Sequence, residues 1–237
     1  HPFSQTGVRP GMAAFLQAGK LSLPQAALEI DLTAAEPVEL SVDAIELRYG
    51  AAAADALLRR ITDALDGADA EASLAPLVTG GEGNVYTRFL APRLEQLYGA
   101  VSLGARDAAV LAAERIAGCG MGLTPSSDDL LTGYFTMLYL LFRGQGREHL
   151  RGIIPPMARA AAAKTNRISG TFLLQGGEGL ANAGMCNLYR SVFQFMDAAA
   201  AKRAVERVLA IGSTSGADML TGAALALLNH NGGNEQW

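Results

Sequence analysis

Gly118-Cys119-Gly120-Met121-Gly122-Leu123-Thr124-Pro125-Ser126-Ser127-Asp128-Asp129-Leu130-Leu131-Thr132-Gly133 sets three alternate glycines and two adjacent acids ahead of an apolar run. Thr124 reads as a helix N-cap, with Pro125 at the first helical position. Leu130 to Phe142 supplies the helix body. That run is broken by Thr132, Gly133 and Thr136 and is too short to span a bilayer, so a buried helix is expected. Glycines tolerate positive φ and the close approach of a ligand. A glycine turn entering a helix leaves amide N–H groups pointing one way, which is a ready site for an anion. The spacing is not a Walker motif, because no Gly-Lys-Ser/Thr follows. It is not a dinucleotide fingerprint either, because no βαβ unit surrounds it.

The pattern returns near the end of the chain as Ser215-Gly216-Ala217-Asp218-Met219-Leu220-Thr221-Gly222. Asp218 aligns with Asp129, Thr221 with Thr132 and Gly222 with Gly133, each at the same interval (218 − 129 = 89). Aspartate and glycine four residues apart share one helical face, and the glycine leaves room beside the carboxylate. The expectation is that two distant helix starts meet and form one site.

Around these motifs the chain reads as α+β and mostly α. The expectation is a small β-containing N-terminal part over 1–50 and a bundle of roughly seven to nine helices over 51–237, possibly as one continuous domain. Ala27–Leu32, Val38–Val42 and Ile45–Tyr49 alternate apolar and polar residues, which predicts short strands. Helical spacing covers Ala51–Leu65, Tyr86–Leu97, Ala105–Ile116 and Ala198–Leu209. Pro155-Pro156 either breaks its segment or opens a helix.

Composition excludes several classes. Half of the 237 residues are hydrophobic and 18% are charged, so a packed core is expected rather than disorder. A formal net charge of −4 argues against nucleic acid or an anionic membrane as partner. Cys119 and Cys186 make no disulfide scaffold, and no histidine near Cys119 in sequence could activate it. His1, His149 and His230 have no metal-ligand spacing. No signal peptide is visible, and a cytoplasmic protein is expected.

The site residues follow from the motifs. Gly120, Gly122 and the amides of Ser126 and Ser127, with the Thr124 hydroxyl, are candidates to hold an oxyanion. Ser215 and Gly216 take the same part in the second motif. Asp129 and Asp218 are the candidate catalytic pair. They would either accept hydrogen bonds from an amide –NH₂ or chelate Mg²⁺ as a cofactor. Asp128 points about 100° away from Asp129 and suits the helix dipole or a ligand contact. Thr165, Arg167 and Ser169 cluster before another helix, with Arg167 as the candidate cation. Such a set suits a small anionic substrate that carries an amide.

The pattern G-x-G-x-G-L-T-P-S-x-D-D-x-L-x-G, a T-x-x-x-S segment at Thr165–Ser169 and a closing S-G-x-D-x-L-x-G resemble a bacterial family long labelled as of unknown function. That family includes the AllH-type subunit of oxamate carbamoyltransferase, from allantoin breakdown. The resemblance covers roughly residues 80–229. It departs at Ser127, where the family usually has glycine. It implies transfer of a carbamoyl group between carbamoyl phosphate and oxamate, in company with other subunits. A non-catalytic assembly or regulatory subunit that binds phosphate or nucleotide is the alternative, and other enzyme subunits or further copies in a homo-oligomer are the expected partners.

Overall fold

The computed structural model describes residues 5–231. The chain divides into two compact units, the first ending at Val38 and the second beginning at Glu39. The first holds a three-stranded antiparallel meander, β1 (Phe15–Gln17), β2 (Lys20–Leu23) and β3 (Leu28–Asp31), in the order β1-β2-β3. Ala18 and Gly19 join β1 to β2 with both φ angles positive, as the tightest hairpin turns require.

The second unit contains ten α-helices among the described residues, so the protein is α+β and mostly α. The tenth element beyond the expected range is the one-turn α2 (Pro76–Thr79). The others are α1 (Ala51–Leu65), α3 (Val85–Ser102), α4 (Arg106–Ile116), α5 (Ser126–Gly144), α6 (Ile154–Ala162), α7 (Arg167–Gly177), α8 (Ala183–Phe193), α9 (Ala198–Leu209) and α10 (Ser215–His230). Their starts are written in the sequence. Asn84, Asn166, Asn182 and Asp197 each accept backbone N–H groups of the following turn, and Pro155-Pro156 opens α6.

Two strand expectations fail. Val38–Val42 and Ile45–Tyr49 form no sheet; Ser41 makes only an isolated bridge to Leu180. Their alternation has another cause. Val42 and Ile45 are buried against the helices while their neighbours face out, and Arg143 of α5 donates to the carbonyls of Asp43 and Ile45. An extended segment lying on helices shows the same period as a strand.

Helices α5 and α10 form the centre of the second unit. Between Ser126 and Phe142 only Thr132 is not buried, and α10 is buried without a break from Gly216 to Leu227. The two helices cross through reciprocal glycine contacts. A methyl group at Gly133 would overlap the carbonyl of Met219, and one at Gly222 would overlap that of Leu130. Met219 and Leu130 are themselves equivalent positions of the repeat. Thr132 and Thr221 each return a hydroxyl hydrogen bond to the carbonyl four residues back, at 2.9 and 2.8 Å. A local two-fold relation therefore joins the motifs. At its far end α10 is tied by His230, whose Nε2 lies 2.6 Å from the Tyr134 hydroxyl and whose Nδ1 lies 3.3 Å from Ser102 Oγ.

These contacts predict unequal costs for the same substitution. Gly133→Ala and Gly222→Ala force backbone apart in the core and should each destabilise the protein by about 3 kcal/mol or more. Gly99→Ala, at an exposed position of α3 with nothing near the added carbon, should gain about 0.5–1 kcal/mol. Urea unfolding of the three variants measures the contrast.

Candidate functional site

The site begins with how the glycine loop meets α5. The helix starts one residue later than expected: Pro125 holds the N-cap position, and Thr124 does not cap. The loop itself covers the helix start. The Ser127 amide donates to the carbonyl of Cys119 (2.9 Å), and the Cys119 amide donates to Ser127 Oγ (2.8 Å). Gly120 packs so closely on the Ser126 amide that no side chain fits there. The expected open row of amides at Ser126 and Ser127 is thus largely consumed by the protein. Gly120 serves this close approach, Gly118 lies with positive φ against the carbonyl of Lys164, and Gly122 has positive φ and open space around it.

Asp128 fastens the loop from the other side. Its Oδ1 accepts from the Gly118 amide at 2.7 Å, and its Oδ2 accepts from Thr165 at 2.5 Å and Ser169 at 2.7 Å. Thr165 and Ser169 therefore meet the motif through Asp128. Arg167, at the first residue of α7, is exposed and points to none of these groups by any hydrogen bond or ion pair that the structure records. Asn166 adds a bond from Nδ2 to the Leu123 carbonyl, 2.8 Å.

The two motif helices start side by side. Thr124 Oγ1 lies 3.2 Å from Ser215 Oγ and donates to Asp129 Oδ2 at 3.0 Å. Gly216 lies against the carbonyl of Val208, where a side chain would clash. The two acids face different surroundings. Asp218 is wholly buried, and its Oδ1 accepts the Leu74 amide at 2.7 Å. The segment before α2 thus covers one half of the repeat. Its Oδ2 has no hydrogen-bond partner. Asp129, 6% exposed, instead borders a cavity of about 350 Å³.

The polar groups lining that cavity are Thr124, Asp129, Thr132, Gln175, Asn182 and Ser215. Its apolar walls are Leu40, Phe172, Leu180, Ala181, Ile211 and Met219. No lining residue is basic, and Asp129 is its one acid. Asn182 caps α8 through Oδ1 and directs Nδ2 at the sulfur of Met219 (3.2 Å). Gln175, Asn182 and Leu40 escaped the sequence reading, and Thr132 was read only as a position of the repeat, not as a site residue. The four come from separate segments, and only the fold collects them.

Burial pushes the Asp129 carboxyl up to about 7. The Ser215 and Thr124 hydroxyls lower it in part, and the charges of Asp218 and Asp128 raise it further. Burial likewise pushes Asp218 up to about 6, against the Leu74 amide and the nearby Ser126 and Thr214 hydroxyls. Neither hydroxyl makes a hydrogen bond to Oδ2 by distance and angle, so their influence is that of neighbouring dipoles. No third His, Cys, Asp or Glu joins the pair as a metal-binding group among the described residues. Burial also raises the Cys119 thiol, which favours its neutral form.

A mostly helical protein with an internal repeat, whose two S-x-x-D-x-L-T-G helix starts converge beside a cavity, is the class that fold and site define. Residues 116–227 match the family model described as "Oxamate carbamoyltransferase subunit AllH". The match spans just under half of the chain and includes both motifs. No curated protein and no solved structure matches the chain. No helix among the described residues is long and apolar enough to cross a membrane.

The raised carboxyls set the sign of a pH dependence. Both folded values exceed the ordinary 3.8, so the native state holds more protons than the unfolded state between about pH 4 and 7. Their contribution to stability is complete below about pH 4 and is lost as pH rises through 6 and 7. The loss should be on the order of a few kcal/mol. Chemical denaturation of Asp129→Asn and Asp218→Asn between pH 4 and 8 should show a flatter profile than the parent protein.

Proposed function

We propose that this chain contributes the amide-recognising part of the active site in an oxamate carbamoyltransferase-type enzyme. One observation carries the reading: the family's two motifs converge on a cavity whose single acid lines the wall beside hydroxyl and amide groups. Asp129 accepts hydrogen bonds from the –NH₂ of the acceptor amide and, with its carboxyl near 7, serves as the base. The amide nitrogen of oxamate attacks the carbamoyl carbon. The nitrogen's proton passes to Asp129, and the carbon–oxygen bond to phosphate breaks as phosphate leaves. In the reverse direction Asp129 returns the proton.

Asp218 acts behind it as a positioning residue. Its negative charge raises the proton affinity of Asp129, and its bond to Leu74 holds α10 in place. The loop from Gly118 to Gly122, with Ser126, Ser127, Asp128, Thr165 and Ser169, shapes this region as a framework. Ser215 and Thr124 orient the Asp129 carboxylate. Arg167 lies outside the cavity lining, so the anionic ends of the substrates are held by groups that another subunit supplies. The alternative of a phosphate or nucleotide site has no basic lining side chain behind it.

In the assembled enzyme, Asp129→Asn should lower the rate of oxalurate formation by about 10²–10⁴-fold while the subunits still associate. The parent enzyme's kcat should rise with pH through about 7, as the base loses its proton. Full activity in Asp129→Asn, with an unchanged pH profile, would remove Asp129 from the chemistry.

A further inference from the structure

The cavity beside Asp129 is larger and less polar than oxamate needs. At about 350 Å³ it falls within the usual range for whole small-molecule sites, about 300–1,000 Å³, whereas oxamate has six heavy atoms. Six of its twelve lining residues are apolar, and they come from four parts of the unit. Leu40 arrives on the extended segment, Phe172 on α7, Leu180 and Ala181 on the α7–α8 connection, and Ile211 and Met219 at the α9–α10 end. Such a wall gains little from a small charged acid. It gains from every methylene placed against it.

The charge pattern points the same way. A second negative charge at the Asp129 end would lie beside a buried carboxylate, with Asp218 and Asp128 close behind and no cation in the lining. An uncharged N–H donor has no such difficulty. The Asp129 carboxylate would accept its hydrogen bonds, and Gln175 and Asn182 bring amide groups that can meet a carbonyl.

We infer that this cavity takes an uncharged carboxamide or ureide bearing an apolar body of several carbons, its –NH₂ turned to Asp129 and its body against Phe172, Leu180 and Met219. This rests on the reading of the cavity as the amide site, and it widens the acceptor class beyond oxamate. Phosphate and carboxylate groups are excluded from the buried end.

Competition calorimetry and thermal shift on the full chain test it, alone and in the assembled enzyme. Butyramide and butyrate share a shape and differ in charge; N-butylurea and urea differ only in the apolar tail. Butyramide should bind at least about tenfold tighter than butyrate, and N-butylurea at least about tenfold tighter than urea. Phe172→Ser should erase the second preference without altering the fold, since Phe172 is half exposed. Inorganic phosphate should not compete. Butyrate or phosphate binding as tightly as the neutral amides would overturn the inference and leave the cavity as the substrate site. No binding by any amide, together with full activity of Asp129→Asn in the assembled enzyme, would overturn the underlying reading as well.

Discussion

The crossing of α5 and α10 through bare backbone is the constraint on which this structure rests. Gly133 and Gly222 allow each helix to lay its main chain on a carbonyl of the other. Only at that separation do the two helix starts come close enough for Thr124 and Ser215 to share a hydrogen bond. The site is therefore a product of helix packing as much as of its own residues. Side chains at the glycines would part the helices and separate Thr124 from Ser215 with no change in any polar group.

The second consequence of that crossing is burial of charge. Two carboxyls enter a low-dielectric region at helix starts, where the dipoles offset part of the cost. Three devices handle the three acids of the motifs. Asp128 is saturated with donors, Asp218 is half satisfied by a distant amide, and Asp129 opens on a cavity. Saturation makes a fastener, whereas an acid with spare acceptor capacity in a cavity is available for chemistry. The difference among three chemically identical side chains is entirely one of neighbours.

Much of this was legible in residue order. The repeated S-x-x-D-x-L-T-G pointed to two helix starts that meet, and the paired prolines at 155 and 156 allowed a helix start there. The glycine spacing was legible as close approach but not as to what approaches. It is the helix start itself at Gly120 rather than a ligand. The strands read at 38–49 went astray because alternation reports one-sided burial, whatever lies on the buried side. The cavity walls were beyond reach, since Leu40, Phe172, Leu180 and Ile211 have no sequence relation to one another and meet only after folding.

The cover over Asp218 has a meaning for the repeat as a whole. The repeat sets two equivalent acids at two helix starts, and the stretch linking α1 to α3 builds over one of them by lending it the Leu74 amide. A symmetric scaffold thereby becomes a one-bay protein, and its directionality resides in a connecting segment that carries none of the motif. Rewriting that connection, with both motifs left intact, is the most direct route to a version of this chain with two vacancies in place of one.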